Sequence, residues 1–229
     1  MLRKQKQISQ RVIKEDPLVS NYYNSLSWFE ANKKMLTNIG GAVLVLAALG
    51  WFYLNNTHTN NEKATTELAK VFSLYDNGQY QVAINGIPEK NISGLQAIVD
   101  NYGSTKNGNV AKVYLANAFF NLQEYDKALK LYDDVSTNIS LLEVSALSGM
   151  AACYEAKGNF SDAAKYFEKA GKKNSADPNA AENLYHAARN YTKSGNKERA
   201  VELYKSVQKE YPASTVAREA DRFLSELNG

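Results

Sequence analysis

The sequence predicts an all-α protein in which a single N-terminal transmembrane helix is followed by a solenoid of helical hairpins. Three observations lead there. Leu36–Leu54 (LTNIGGAVLVLAALGWFYL) is an apolar run without a charge. From residue 110 onward, small and aromatic residues recur at matching offsets in three successive stretches. Only four prolines interrupt 229 residues, as a mostly helical chain requires.

The apolar run comes first in importance. As a helix rising ~1.5 Å per residue it reaches roughly 28 Å, close to the ~30 Å hydrocarbon core of a bilayer. Trp28 and Phe29 precede it, and Trp51, Phe52 and Tyr53 close its far end, which places aromatic side chains at both interfaces. A buried core helix would be shorter or would carry a charge. A cleaved signal peptide would be followed by a small-x-small site, and its leader would be shorter. One membrane span is the reading that fits.

Charge is spread unevenly around that span. Residues 1–35 carry Arg3, Lys4, Lys6, Arg11, Lys14, Lys33 and Lys34 against Glu15, Asp16 and Glu30. The segment is therefore at +4, and the remaining chain, with the other twenty basic and twenty-one acidic residues, is at −1. The main domain thus lacks the basic footprint of a nucleic-acid binder. Lys33 and Lys34 sit directly before the span, and the first basic residue after it is Lys63. Short basic flanks stay in the cytoplasm, so the amino terminus is expected inside and everything after Leu54 outside. Residues 1–20 read as a disordered tail, Ser25–Met35 as a short helix entering the membrane, and 55–61 (NNTHTNN) as a polar linker. Cys153 is the single cysteine, so no intrachain disulfide forms.

The soluble domain is expected over 62–229. Leu68, Val71, Phe72 and Tyr75 recur at three- and four-residue spacing, and Asp76-Asn77-Gly78 ends that helix. A second helix from Gln79 is cut short by Gly86 and Pro88. Leu95–Tyr102 predicts another short helix, and 103–109 (GSTKNGN) a loop. With Ala83 behind Tyr80, residues 64–87 read as a degenerate first hairpin, broken by an insertion at 85–109.

Three aligned hairpins follow, over Val110–Val135, Val144–Ala170 and Glu182–Val207. Their first helices share a mostly apolar residue, a small residue and an aromatic at fixed offsets. These are Leu115, Ala116 and Phe119; Met150, Ala151 and Tyr154; Ala187, Ala188 and Tyr191. Their second helices offer Ala128 with Tyr132, Ala163 with Phe167, and Ala200 with Tyr204. The turns between them are NLQEY, AKGNF and KSGNK, with Gly158 and Gly195 where a helix end favours a left-handed residue. Steps of thirty-five and thirty-seven residues separate Ala128, Ala163 and Ala200. This is the tetratricopeptide repeat pattern, whose period is about 34 residues. Paired helices approach closely only where both carry a small side chain, and the aromatics fill the space between neighbouring hairpins. Val216, Ala217, Ala220, Phe223, Leu224 and Leu227 line one face of a final segment, 214–227, which is expected to cap the stack.

With these residues in view, the chain resembles the YfgM-like family of inner-membrane proteins with an outward tetratricopeptide domain. The resemblance covers roughly residues 20–229, and 95–116 (LQAIVDNYGSTKNGNVAKVYLA) is similar to the form found in Bacteroidetes-type bacteria. It implies a bacterial inner-membrane protein with a periplasmic domain. The role it implies is accessory to the Sec translocon, with translocon subunits, periplasmic chaperones and exported clients as partners.

No catalytic constellation emerges from the residues. The two histidines, His58 and His186, are far apart in sequence, and no GxSxG, GxxxxGK[ST] or GxGxxG occurs. The expectation is therefore a protein–protein interaction scaffold without cofactor, metal or small-molecule substrate. Cell-envelope assembly is the alternative, and an enzyme a distant one. Such a superhelix leaves a concave face lined by first helices. The outward offsets there fall on Val113, Asn117 and Phe120; on Ser148, Ala152 and Glu155; and on Tyr185, Arg189 and Thr192. These nine residues are the predicted partner-binding face. Phe120 and Tyr185 are expected to hold apolar peptide side chains, and Asn117 and Arg189 to bond its backbone or a carboxylate.

Overall fold

The computed structural model describes residues 17–228, with side chains described through residue 225. The cations Arg3, Lys4, Lys6, Arg11 and Lys14 of the predicted tail, and the side chain of Leu227, lie outside the described residues. The chain divides into two compact units, at Asn56 and Thr57.

In the first unit the described residues belong to one helix, α1, which runs Pro17–Asp76 and continues into the second unit. It is long and apolar enough to cross a membrane, and none of its most apolar stretch is buried. Two expectations need correction. Residues 17–20, expected in a disordered tail, are helical. The expected linker 55–61 is helical as well. Asparagine and threonine are weak helix formers, but Asn61 is held from outside, where its Oδ1 accepts the Asn107 N–H at 2.8 Å. Tertiary bonding overrides local preference at that position.

The second unit is a stack of helical hairpins. Ala64, Leu68 and Val71 bury one face of α1. The short α2 (Tyr80–Asn85) follows, then a two-stranded antiparallel hairpin that pairs β1 (Gly86–Ile87) with β2 (Ile92–Ser93). That hairpin was not visible in the sequence. Its base is a close backbone approach, since a Cβ on Gly94 would lie 2.2 Å from the Ile84 carbonyl oxygen. Leu95–Tyr102 forms α3 as expected.

The hairpins of the three repeats are α4 (Lys106–Asn121) with α5 (Tyr125–Asp133), α6 (Ser140–Ala156) with α7 (Phe160–Lys173), and α8 (Ala180–Lys193) with α9 (Lys197–Glu210). The predicted loop 103–109 is shorter than expected. Thr105 caps α4 by accepting the Gly108 N–H, so residues 106–109 already belong to the helix. The three turns share one backbone pattern. Gln123, Gly158 and Gly195 all take positive φ, at 63°, 76° and 86°, and the next residue donates to a carbonyl five back.

Packing follows the aligned offsets. Ala116, Ala128, Ala151, Ala163, Ala188 and Ala200 are fully buried. Tyr132 is also buried and reaches the following hairpin, where a Cβ on Gly149 would lie 2.2 Å from its ring. The terminal helix α10 (Thr215–Asn228) covers the last hairpin with Val216, Ala217, Ala220 and Leu224. Phe223 stacks on Tyr204 with ring centroids 5.6 Å apart. The solenoid core therefore continues into its cap.

Candidate protein-binding face

The first helices of successive repeats, α4, α6 and α8, carry the nine predicted residues. The structure separates these into a packed group and an accessible one. Val113 is buried in the core cluster of the first repeat. Tyr185 is buried too, at 5% exposure, and its hydroxyl donates to Glu219 of α10 at 2.7 Å. Both were expected to face a partner, and both instead pack within the solenoid. The long Tyr185 side chain reaches the cap because α10 stands where a fourth first helix would stand.

Among the half-buried members, Glu155 and Arg189 bond each other across hairpins, whereas Asn117 and Ser148 bond residues outside the predicted nine. Tyr132 donates to Asn117 within the first repeat. Ser148 Oγ and Asn183 Oδ1 lie 2.9 Å apart, and Ser148 Oγ also reaches the Val144 carbonyl. Arg189 Nη2 donates to Glu155 Oε1 at 2.7 Å, and Lys193 Nζ adds a second cation to the same oxygen at 3.1 Å. Burial works to raise the Glu155 carboxyl. Hydrogen bonds from Asn190 and Lys193, together with the Arg189 and Lys193 charges, outweigh it and hold it below the usual carboxylate range. Burial raises the Tyr185 hydroxyl, helped by its bond to Glu219, to about 12. Phe120 leans on Tyr125, with ring centroids 5.5 Å apart. Ala152 is half-buried, and Thr192 bonds its own helix at the Ala188 carbonyl.

Sequence reasoning missed Asn183, Asn190 and Glu219. Their signal was the repeat period itself. Ser148 with Asn183, Glu155 with Arg189, and Tyr185 with Glu219 are pairs separated by thirty-four or thirty-five residues. Helix α8 stands apart in its polar content. Asn183 Nδ2, His186 Nδ1, Arg189 Nε and Asn190 Oδ1 are buried atoms without a hydrogen-bond partner. Burial, reinforced by the Arg189 charge, lowers the His186 pKa and keeps its imidazole neutral at pH 7. Such atoms cost roughly 1–3 kcal/mol each when left unpaired.

The rest of the surface offers little chemistry. Among the described residues no group of three or more His, Cys, Asp or Glu is placed to hold a metal. Cys153 is buried, and that burial pushes its thiol up to about 12, with Asp126 adding to the shift and Lys157 opposing it.

Two tetratricopeptide-repeat family models match the chain, one over residues 146–178 and the other over 182–214. No curated protein matches it. The matched stretches coincide with the α6–α7 and α8–α9 hairpins. The chain is an all-α protein built on tetratricopeptide repeats.

Proposed function

We propose that this chain is a membrane-anchored scaffold which recruits other proteins through the first-helix face of its repeats. The observation that carries the reading is the concentration on α8 of buried polar atoms without partners, at Asn183, His186, Arg189 and Asn190. They lie beside the half-buried Ala152, Glu155 and Thr192. A partner segment laid along this face supplies backbone donors and acceptors, and a partner carboxylate there competes with Glu155 for Arg189. Phe120 provides an apolar contact toward the amino-terminal end of the same face. The apolar part of α1 supports the anchor, and tethering raises the effective concentration of partners that share the membrane.

The finer assignment rests on the resemblance over residues 20–229 and on the Lys33-Lys34 flank. On that basis the amino terminus is cytoplasmic, the repeat domain is periplasmic, and the partners are translocon subunits, periplasmic chaperones and exported clients. Coordination of envelope assembly is the second reading, and it shares the same face and anchor. The test places a photo-crosslinking side chain at Ala152 or Phe120 in the full-length chain in cells. Capture of translocon or chaperone subunits from both sites supports the assignment, and capture of envelope-assembly proteins supports the alternative. If neither site captures a protein while one on the outer surface, at Lys169, does, the first-helix face is the wrong surface.

A further inference from the structure

Upstream of the apolar run, α1 carries a second apolar surface. At about 100° per residue, Leu18, Tyr22, Leu26 and Phe29 fall within roughly 80° of helix arc. All four are well exposed, at 79%, 64%, 42% and 54%. Val19 and Tyr23 widen the stripe on one side, and Tyr22 and Tyr23 meet edge to face at 5.6 Å. Ser20, Asn24 and Ser27 lie on the opposite side, and Glu30 is the single charge between Pro17 and Asn32. Phe29 is close to the apolar run, but Leu18 is about 27 Å of helix from Leu36, beyond the ~5–8 Å of headgroup layer outside the hydrocarbon. A straight helix normal to the bilayer would leave the stripe in water.

We propose that residues 17–32 form an interfacial helix which lays this stripe onto an anionic lipid surface. The proposal rests on the reading of residues 36–54 as a membrane span. Two features favour lipid over a partner helix. The stripe is rich in aromatics, which suit the headgroup layer. The neighbouring cations are Lys33 and Lys34, and the sequence before Pro17 adds Arg3, Lys4, Lys6, Arg11 and Lys14. Lying down requires a bend between stripe and span. Asn32 Nδ2 donates to the Trp28 carbonyl at 2.7 Å and Thr37 Oγ1 to the Lys33 carbonyl at 2.8 Å. Side chains bonded back to the carbonyl four residues earlier weaken and bend a helix, so the bend belongs between residues 28 and 37.

Trp28 and Trp51 are the only tryptophans, so single-tryptophan chains are readily made. The full-length chain is reconstituted into vesicles of phosphatidylcholine and phosphatidylglycerol in equal parts, with brominated acyl chains as quenchers. Three variants are compared: Trp28→Phe, which reports the span through Trp51; and Tyr22→Trp or Asn24→Trp, each combined with Trp28→Phe and Trp51→Phe. The expected result is quenching of the tryptophans at 51 and 22, with the one at 24 open to aqueous iodide. Quenching at 22 should fall about twofold or more when the vesicles are phosphatidylcholine alone. Quenching at 51 but not at 22 overturns the proposal and leaves the anchor standing. Absence of quenching at 51 overturns the anchor and the proposal with it. Shielding at 22 from both iodide and brominated lipid also overturns it, in favour of a protein partner such as a second copy.

Discussion

Glu155 on α6 and Arg189 on α8 pair at 2.7 Å across two hairpins, and their positions differ by thirty-four residues, the period of the repeat. Lys193 joins the same carboxylate. A second bridge of this kind ties Glu168 of α7 to Arg199 of α9, with Tyr191 and Lys172 on the same carboxylate. Both acids are lowered despite burial, Glu168 to about 2 through its bonds from Arg199, Lys172 and Tyr191. A carboxyl with a depressed folded pKa stabilises above its unfolded value and loses that contribution as pH falls through the folded value. Unfolding of fragment 62–229 should therefore become easier between about pH 4.5 and about 2. After allowance for solvent screening, Glu168 accounts for on the order of 1–2 kcal/mol of that loss. Glu168→Gln should lower stability at pH 7 and flatten the acid limb of a pH series of thermal melts. An unchanged acid limb would remove Glu168 from the account.

Gly149 tests the packing between repeats. It lies inside α6, where alanine would normally gain ~0.5–1 kcal/mol. Here the new Cβ meets the Tyr132 ring at 2.2 Å, and that ring is buried and held by Asn117. Overpacking costs ~1–3 kcal/mol. Gly149→Ala is expected to lower the denaturant midpoint, against its helix propensity. Ala163→Leu, at a fully buried position, should do the same in the second repeat.

The turn positions predict an asymmetry. Gly158 and Gly195 adopt the left-handed region at no steric cost, whereas Gln123 occupies it with a side chain. A non-glycine residue there costs ~1–2 kcal/mol. Gly158→Gln should destabilise by about 1 kcal/mol. The reverse change, Gln123→Gly, gains that term but frees the unfolded chain by ~0.4–1 kcal/mol, so its net effect should be small and stabilising. Melting temperatures of the two variants measured side by side check the sign.

The repeat helices were legible because two kinds of residue are constrained at once. Ala128, Ala163 and Ala200 must be small at helix crossings, and Tyr132, Phe167 and Tyr204 must be large between hairpins. The 86–93 hairpin was not legible, since two-residue strands carry no periodicity and their base depends on Gly86 and Gly94 meeting through the backbone. Helix at 55–61 was hidden for a related reason, as Asn61 is fixed by Asn107, distant in sequence. In the binding face, offsets identified which helix surface matters but not how far a side chain reaches. Tyr185 shows the difference, because its long side chain reaches α10 at the end of the stack, and Val113 at the same offset is buried in the first repeat.

That covering changes how the face must be probed. Tyr185 touches Tyr204 and Phe223, with ring centroids at 5.8 and 6.1 Å, and bonds Glu219. Tyr185→Ala removes a buried aromatic and should cost ~3–5 kcal/mol. Tyr185→Phe keeps the ring and loses the bond to a charged but exposed acceptor, about 1 kcal/mol. The alanine variant should therefore release α10, seen as faster proteolysis after Pro212 and a lower melting temperature. Ala152 is half-buried at the edge of the core cluster that also holds Tyr185 and the apolar face of α10, and Ala152→Arg adds bulk there with a long side chain that can turn its charge outward. It should leave helicity unchanged and reduce partner capture, since a clash at a binding centre costs affinity without unfolding the scaffold. A folded Ala152→Arg chain that captures partners as well as wild type would exclude the centre of this face, whatever Tyr185→Ala does.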